Sequence, residues 1–404
     1  MKTPRAGAAR VRTGLDVMVA SGFKAVRGRR LGVLCHPASV AADLGHLTQH
    51  LAAAGVAVTR CFGPEHGIWA DAQDMIPVTD AEAPREPVTG APVRSLYGHS
   101  VESLTPTAAD LADLDVLLID LQDIGSRYYT YIYTAALAAR AALAVGVEVL
   151  VLDRPNPLGG LAVEGGLTGR DHLSFVGRWP LPVRHGLTLA EVLQVLARRE
   201  GWDLAGLSVV DVEGWTRAMD FAATGLPWVM PSPNMPTLDT ARVYPGMCLV
   251  EGTLLSEGRG TTRPFELVGA DFIDPFALAA ELARRPLAGV VFRPVFIRPT
   301  FHKFGGQTIG GVQLHVTDPV AFEPWRCGLH FLDAVRRCFG PALQWRTEPY
   351  EFVSDRLAID LLCGGTEART VIDAGGDIDA FWQRGQAEAA AFDLERQESL
   401  RHGR

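Results

Sequence analysis

Short apolar runs alternate with stretches of helical spacing along the first half of the chain. That alternation predicts strand–helix–strand repeats. The runs lie at 30–35 (RLGVLC), 56–62, 93–97, 115–121 (DVLLIDL), 147–152 (VEVLVL) and 207–212. Between them, 41–54 carries Leu44, Leu47 and Leu51 at helical spacing with Gly55 as its stop. Helices are also predicted at 106–114, in the Ala-rich stretch ending near 145, and at 188–200, where Thr188 and Glu191 form a capping box. Residues 1–29 read as a polar, Arg-rich, frayed start with one short helix near 15–19. Such repeats predict an α/β domain built on a doubly wound parallel sheet.

After Trp215 the texture changes. The segment 228–237 (WVMPSPNMPT) holds three prolines and 244–266 is dense in Gly, Thr and charge. From Asp274 a second, smaller α/β unit is predicted, with a helix at 275–285 and strands near 289–297 and 311–316. Helices follow at 324–338, 355–362 and from 378 onward. The expected organisation is therefore two domains, 1–228 and 229–404, with the Pro/Gly-rich segments lining a cleft between them.

Composition narrows the function classes. A net charge of -8 over 404 residues argues against a nucleic-acid backbone as partner. No apolar run reaches membrane-spanning length, and the basic N-terminus leads into no apolar segment of a signal peptide. The six cysteines show no CxxC spacing and read as buried residues or free thiols of a reducing compartment, so a cytoplasmic location is expected. The first strand is followed by no G-x-G-x-x-G, and the chain has no Walker A motif. The Rossmann-like plan thus comes without a dinucleotide or P-loop signature, and no cofactor is expected.

Chemistry gathers where strands end. Gly63-Pro64-Glu65-His66-Gly67 follows the second strand, with Asp71 and Asp74 just beyond. Asp120, Gln122, Asp123 and Arg127 follow the central strand and lead into Tyr128, Tyr129 and Tyr131. Asp153, Arg154 and Asn156 follow the next strand, with Glu164 on a Gly-flanked loop. Asn234 lies in the Pro-rich segment, and Glu251, Glu257, Arg259 and Arg263 in the Gly/Thr-rich one. Carboxylates, arginines and tyrosines at one sheet edge suit a glycosidase, which needs a carboxyl to protonate the leaving oxygen and a second group to support an oxocarbenium-like transition state. Two other readings are open: a metal-dependent hydrolase using His66, Asp71, Asp74 and Asp120, and a sugar-binding module without turnover. The absence of G-x-S-x-G argues against a serine hydrolase.

Six ordered blocks carry a family resemblance: GPEHG, LIDLQDIGSRYYTYIYT, LDRPNPLGG, VEGG, PSPNMPT and EGTLLSEGRGTTRPFE. Together they resemble the exo-β-N-acetylmuramidase family of glycoside hydrolases, densely from 61 to 269 and more loosely beyond 271. The resemblance implies a Rossmann-like domain, a smaller C-terminal α/β domain and a cleft between them. It also implies release of N-acetylmuramic acid from the non-reducing end of peptidoglycan fragments; a homodimer is compatible with it. Ile68-Trp69-Ala70 stands where the family usually has Phe-Arg-Gly, and Cys35-His36-Pro37 where an Asn-Pro is usual, so His36 is a candidate replacement for a site amide.

Within that frame Glu65 is the first choice for general acid, with His66 either orienting it or capping the turn. Glu164 is the leading second carboxylate, ahead of Asp120 and Asp123. Tyr128, Tyr129 and Tyr131 are sugar platforms, at least one of them core. Asn156 and Asn234 serve sugar hydroxyls or the acetamido group, or else form Asx-turns. Glu251 and Glu257 either touch substrate or brace Arg259 and Arg263. An arginine is expected to read the lactyl carboxylate of N-acetylmuramic acid. The choices are Arg127, Arg259 and Arg263; Arg154 ranks last, tied to backbone or to Asp153.

Overall fold

A computed structural model describes residues 10–78 and 84–403 of the chain. Of the frayed start expected over 1–29, residues 1–9 lie outside the described residues, whereas Gly14–Ala20 form the short helix expected there and turns follow it. Part of the irregular stretch expected over 75–91 also lies outside the described residues.

The apolar runs form β1 (Leu31–Cys35), β2 (Val58–Gly63), β3 (Val93–Ser95), β4 (Val116–Asp120), β5 (Glu148–Leu152) and β6 (Leu207–Val210). All pair in parallel, in the order β3-β2-β1-β4-β5-β6. β1 and β4 are buried at every position, as strands covered on both faces must be. The covering helices are α1 (Gly14–Ala20), α2 (Leu47–Ala53), α3 (Ala108–Leu111), α4 (Tyr131–Ala144) and α5 (Leu189–Glu200). The expected capping box at Thr188 and Glu191 opens α5. The helix expected over 41–54 is shorter: Leu44 stands in a turn at φ 68, and His46 caps a helix that begins at Leu47.

The second half contains α6 (Leu238–Met247), β7 (Leu267–Ala270), α7 (Pro275–Leu282), β8 (Val290–Ile297), β9 (Ile309–Val316), α8 (Pro324–Phe339), α9 (Ala358–Cys363), α10 (Glu367–Ala374) and α11 (Ile378–Glu395). Its sheet is antiparallel, in the order β7-β9-β8. The expected plan is therefore the observed one, a Rossmann-like sheet with a smaller α/β unit. α6, β7 and α10 were not foreseen. α6 contains Pro245 and Gly246, which read as helix breakers. Here Gly246 has a packing role: a Cβ on it would come 1.8 Å from the Pro324 carbonyl oxygen, and one on Gly328 would come 2.2 Å from the Gly246 oxygen. Glycine lets α6 and α8 cross backbone against backbone.

One hydrophobic cluster runs through both halves, joining Leu117 and Tyr133 to Met247, Phe331 and Leu361. A second fills the other face of the parallel sheet, around Leu15, Val33, Leu51 and Leu118. Among the described residues no helix is long and apolar enough to cross a membrane.

Candidate active site

At the end of β2 the chain turns too sharply for ordinary side chains. A Cβ on Gly63 would meet the Ile68 nitrogen at 2.8 Å. His66 and Gly67 then take φ of 71° and 86°, a left-handed pair that is costly for a histidine. The turn seats Glu65, 5% exposed, in a pocket wall. Its Oε2 accepts a 2.6 Å hydrogen bond from Thr130 Oγ1. Thr130 is the N-cap of α4, so the Glu65 carboxylate sits where unpaired amides and the positive end of the helix dipole favour an anion. His66 Nδ1 lies 3.0 Å from the Ala72 oxygen. Of its two expected roles, this contact is the turn-capping one, although the ring also lines the pocket.

A second carboxyl enters the same pocket from the other half of the molecule. Tyr350 and Val353 exchange backbone hydrogen bonds of 2.9 and 3.0 Å across a tight turn whose central residues are Glu351 (φ 46°) and Phe352 (φ 66°). Two successive left-handed residues without glycine or asparagine are strained, and such strain concentrates at functional sites. Glu351 is buried, and its Oε2 accepts from the Tyr97 hydroxyl at 3.1 Å. Burial, reinforced by the negative charge of Glu65, holds the Glu351 carboxyl well above the usual carboxylate range, with the Tyr97 bond pulling the other way.

The remaining wall is a charge cluster. Arg259 reaches Asp74 at 3.0 Å, Glu251 at 2.7 Å and Glu257 at 3.1 Å, and lies 5.1 Å from the Phe265 ring centroid. Tyr350 donates to Glu251 at 2.6 Å, and Lys303 pairs with Glu257 at 2.9 Å. Lys303, His302 at 3.2 Å and Arg259 hold Glu257 well below the usual range despite its burial. Glu251 and Glu257 thus brace Arg259. Arg263 pairs instead with Glu266 at 3.3 Å, half exposed and off the pocket. Tyr128, Tyr129 and Tyr131 all line the pocket yet are 1%, 6% and 1% exposed, so they form walls, not open platforms. Asn234 lines it too and holds Gln73 at 3.0 Å. Tyr244 of the unforeseen α6 and Ser232 complete the lining. The space between these walls is about 40 Å³, enough for a few waters.

Several expected site residues are elsewhere. Asp120 is fully buried at the end of β4 and gripped by Arg154 at 2.5 and 2.8 Å. Arg154 also donates to the Val40 carbonyl at 3.1 Å, the backbone tie expected of it, while its carboxylate partner is Asp120 and not Asp153. Gln122 donates to the Asp123 and Pro155 carbonyls, and its amide donates to His36 Nε2 at 3.1 Å. His36 is fully buried, which pushes its pKa down to about 3, and it stays outside the pocket. Asp123 accepts from the Gly125 amide and faces His185 at 3.2 Å. Gln122 and Arg154 line a separate, smaller pocket with Ala38 and Val40, at the ends of β1 and β4 where the sheet order reverses. Asn156 accepts from the Leu158 amide, which is the Asx-turn reading. Arg127 is fully buried and donates to the carbonyls of Gly166, Leu181 and Leu362, so it reads no substrate carboxylate. Glu164 accepts from the Arg326 amide at 3.0 Å, at the start of α8, far from Glu65 in role and outside the pocket lining. Asp71 is exposed and off the lining. His66, Asp71, Asp74 and Asp120 therefore do not converge as the metal-dependent reading required. Among the described residues no group of three His, Cys, Asp or Glu is placed to hold a metal ion.

Comparison with known proteins agrees with this architecture. The family model described as "Exo-beta-N-acetylmuramidase NamZ, N-terminal" matches residues 31–239, and its C-terminal counterpart matches 242–401. The peptidoglycan β-N-acetylmuramidase NamZ of Bacillus subtilis is 40% identical over 371 residues, 92% of this chain and 86% of that protein. Two crystal structures of DUF1343 family proteins from Bacteroides fragilis share the fold. One has a TM-score of 0.84 and 31% identity, over 97% of this chain and 99% of the other. The second has a TM-score of 0.74 and 25% identity, over 98% and 99%. With the two family models matching residues 31–239 and 242–401, the chain belongs to the exo-β-N-acetylmuramidase NamZ family.

Proposed function

We propose that this protein hydrolyses the glycosidic bond of a terminal N-acetylmuramic acid, releasing it from the non-reducing end of peptidoglycan fragments such as MurNAc-GlcNAc. The observation that carries the assignment of residues is the meeting of Glu65 and Glu351 in one pocket, one from each half of the chain. Glycoside hydrolysis needs two groups in opposite protonation states. Glu351 is kept protonated by burial beside a negative neighbour, which suits a general acid. Oε2 already accepts from Tyr97, so Oε1 is the oxygen that carries the proton to the leaving sugar. Glu65, hydrogen-bonded by Thr130 at a helix N-terminus, is the partner that faces the developing positive charge at the anomeric carbon. This exchanges the role read for Glu65 from sequence. Glu164, outside the pocket, has no part in the chemistry.

Two substrates separate the roles. Glu351→Gln loses roughly 10²-fold on MurNAc-GlcNAc but keeps most of its rate on a para-nitrophenyl muramide, whose leaving group needs no proton. Glu65→Gln loses on both. The reverse pattern returns the acid to Glu65, and full activity of both variants on the disaccharide removes the pair altogether. Turnover abolished by EDTA and restored by a divalent cation would revive the metal-dependent reading.

A further inference from the structure

The pocket has more acid than free base. Glu65, Asp74, Glu251 and Glu351 line it, and Arg259 is already committed to three carboxylates. Lys303 is held by Glu257 and the Thr253 carbonyl, at 2.9 and 3.0 Å. A sugar bearing a lactyl carboxylate enters such a wall only against repulsion, unless a cation with unused donors stands at its edge.

Among the described residues, the guanidinium of Arg346 meets that description. Arg346 lies against two pocket-wall residues, its Cζ 5.3 Å from the Tyr350 ring centroid and its Nη2 3.7 Å from Met75 Sδ. Its nearest carboxylate is Glu348, 4.0 Å from Nε and itself 63% exposed, too far for a hydrogen bond. Its other acceptor is the Pro349 carbonyl at 3.3 Å. The stem is fixed, because the Arg346 amide donates to the Gly252 oxygen at 2.9 Å, next to Glu251. Stacking on Tyr350 leaves the guanidinium edge open for the two parallel bonds a carboxylate accepts. From these contacts we infer that Arg346 is the residue that distinguishes N-acetylmuramic acid from N-acetylglucosamine, by pairing with the lactyl carboxylate. This rests on the muramidase reading above. It takes the place of Arg127, bound to three backbone carbonyls, of Arg259, held by three carboxylates, and of Arg263, which lies off the pocket.

The test pairs a protein change with a substrate change. On para-nitrophenyl muramide, Arg346→Ala raises KM roughly tenfold or more while kcat changes little, and Arg346→Lys recovers part of the loss. Converting the lactyl carboxylate to its amide costs the parent protein a similar factor and costs Arg346→Ala almost nothing further. Equal KM for acid and amide in the parent protein overturns the inference even if the variants do not fold. So does an additive loss when both changes are combined. Failure of the muramidase reading is seen separately, as no release of the sugar from either substrate by the unaltered protein.

Discussion

Arg259 shows how much a single buried side chain carries here. It is 6% exposed and answers three carboxylates at once. Replacing it with methionine fills much of the space but leaves Asp74, Glu251 and Glu257 facing one another with Lys303 and His302 beside them. Removing one partner of a buried ion cluster costs about 3–5 kcal/mol, so Arg259→Met is expected to lower the urea midpoint sharply at pH 7. It should recover partly when Glu257→Gln is added. A single variant as stable as the parent would mean the cluster contributes no net stability. The same residue marks what sequence can and cannot reveal. Glu65 was legible because Gly and Pro on either side forced a loop. Glu351 was not, since its turn is made of Tyr, Glu, Phe and Val and carries no turn signal. Asp120 and Arg127 were misassigned because a buried charge tied to its own protein has the same local sequence as one awaiting a ligand.

Among the elements, α8 is where the two halves are joined by a carboxyl. Glu164 accepts from the Arg326 amide in the first turn, yet its Oε2 has no partner. Burial outweighs the helix terminus and pushes its pKa up to about 7, from 4.5. In the unfolded chain the proton leaves near 4.5; in the folded one it stays until about 7. The folded state therefore binds more protons across that window, and stability falls as pH rises through it. The shift corresponds to on the order of 3 kcal/mol. Glu164→Gln keeps the shape without the charge, so it should flatten the pH dependence of Tm between pH 5 and 8 and be the more stable protein at pH 8. An equal loss at both pH values would show that the carboxyl is needed ionised. Element types were readable wherever periodicity was long, as in α5 and α8. α6 was hidden because its Pro245 and Gly246 serve a helix crossing that lies in another part of the chain.

Taken as a whole, the molecule splits its chemistry across its length. Glu65 belongs to the segment 1–228 and Glu351 to 229–404, and the two line one pocket. Tyr97 of the first holds Glu351, and Asp74 of the first pairs with Arg259 of the second. The join is also apolar, since the largest hydrophobic cluster passes from Tyr133 and Leu193 to Phe331 and Leu361 without a break. Arg127 adds a polar tie, donating to Leu362 across 235 residues of chain. Cutting at 228 therefore exposes core and removes the Leu362 carbonyl from Arg127 and Arg259 from Asp74. Expressed apart, the two segments are expected to bind a hydrophobic dye and to show no release of N-acetylmuramic acid from MurNAc-GlcNAc. Co-expression should restore turnover, because the area buried between them favours reassembly. The readout that separates this account from simple misfolding is a mixed pair: an intact first segment with a second segment carrying Glu351→Gln. That pair should assemble, regain its protection from dye, and hydrolyse the aryl muramide but not the disaccharide. Hydrolysis of the disaccharide by the first segment alone would show that the second half contributes no catalytic group.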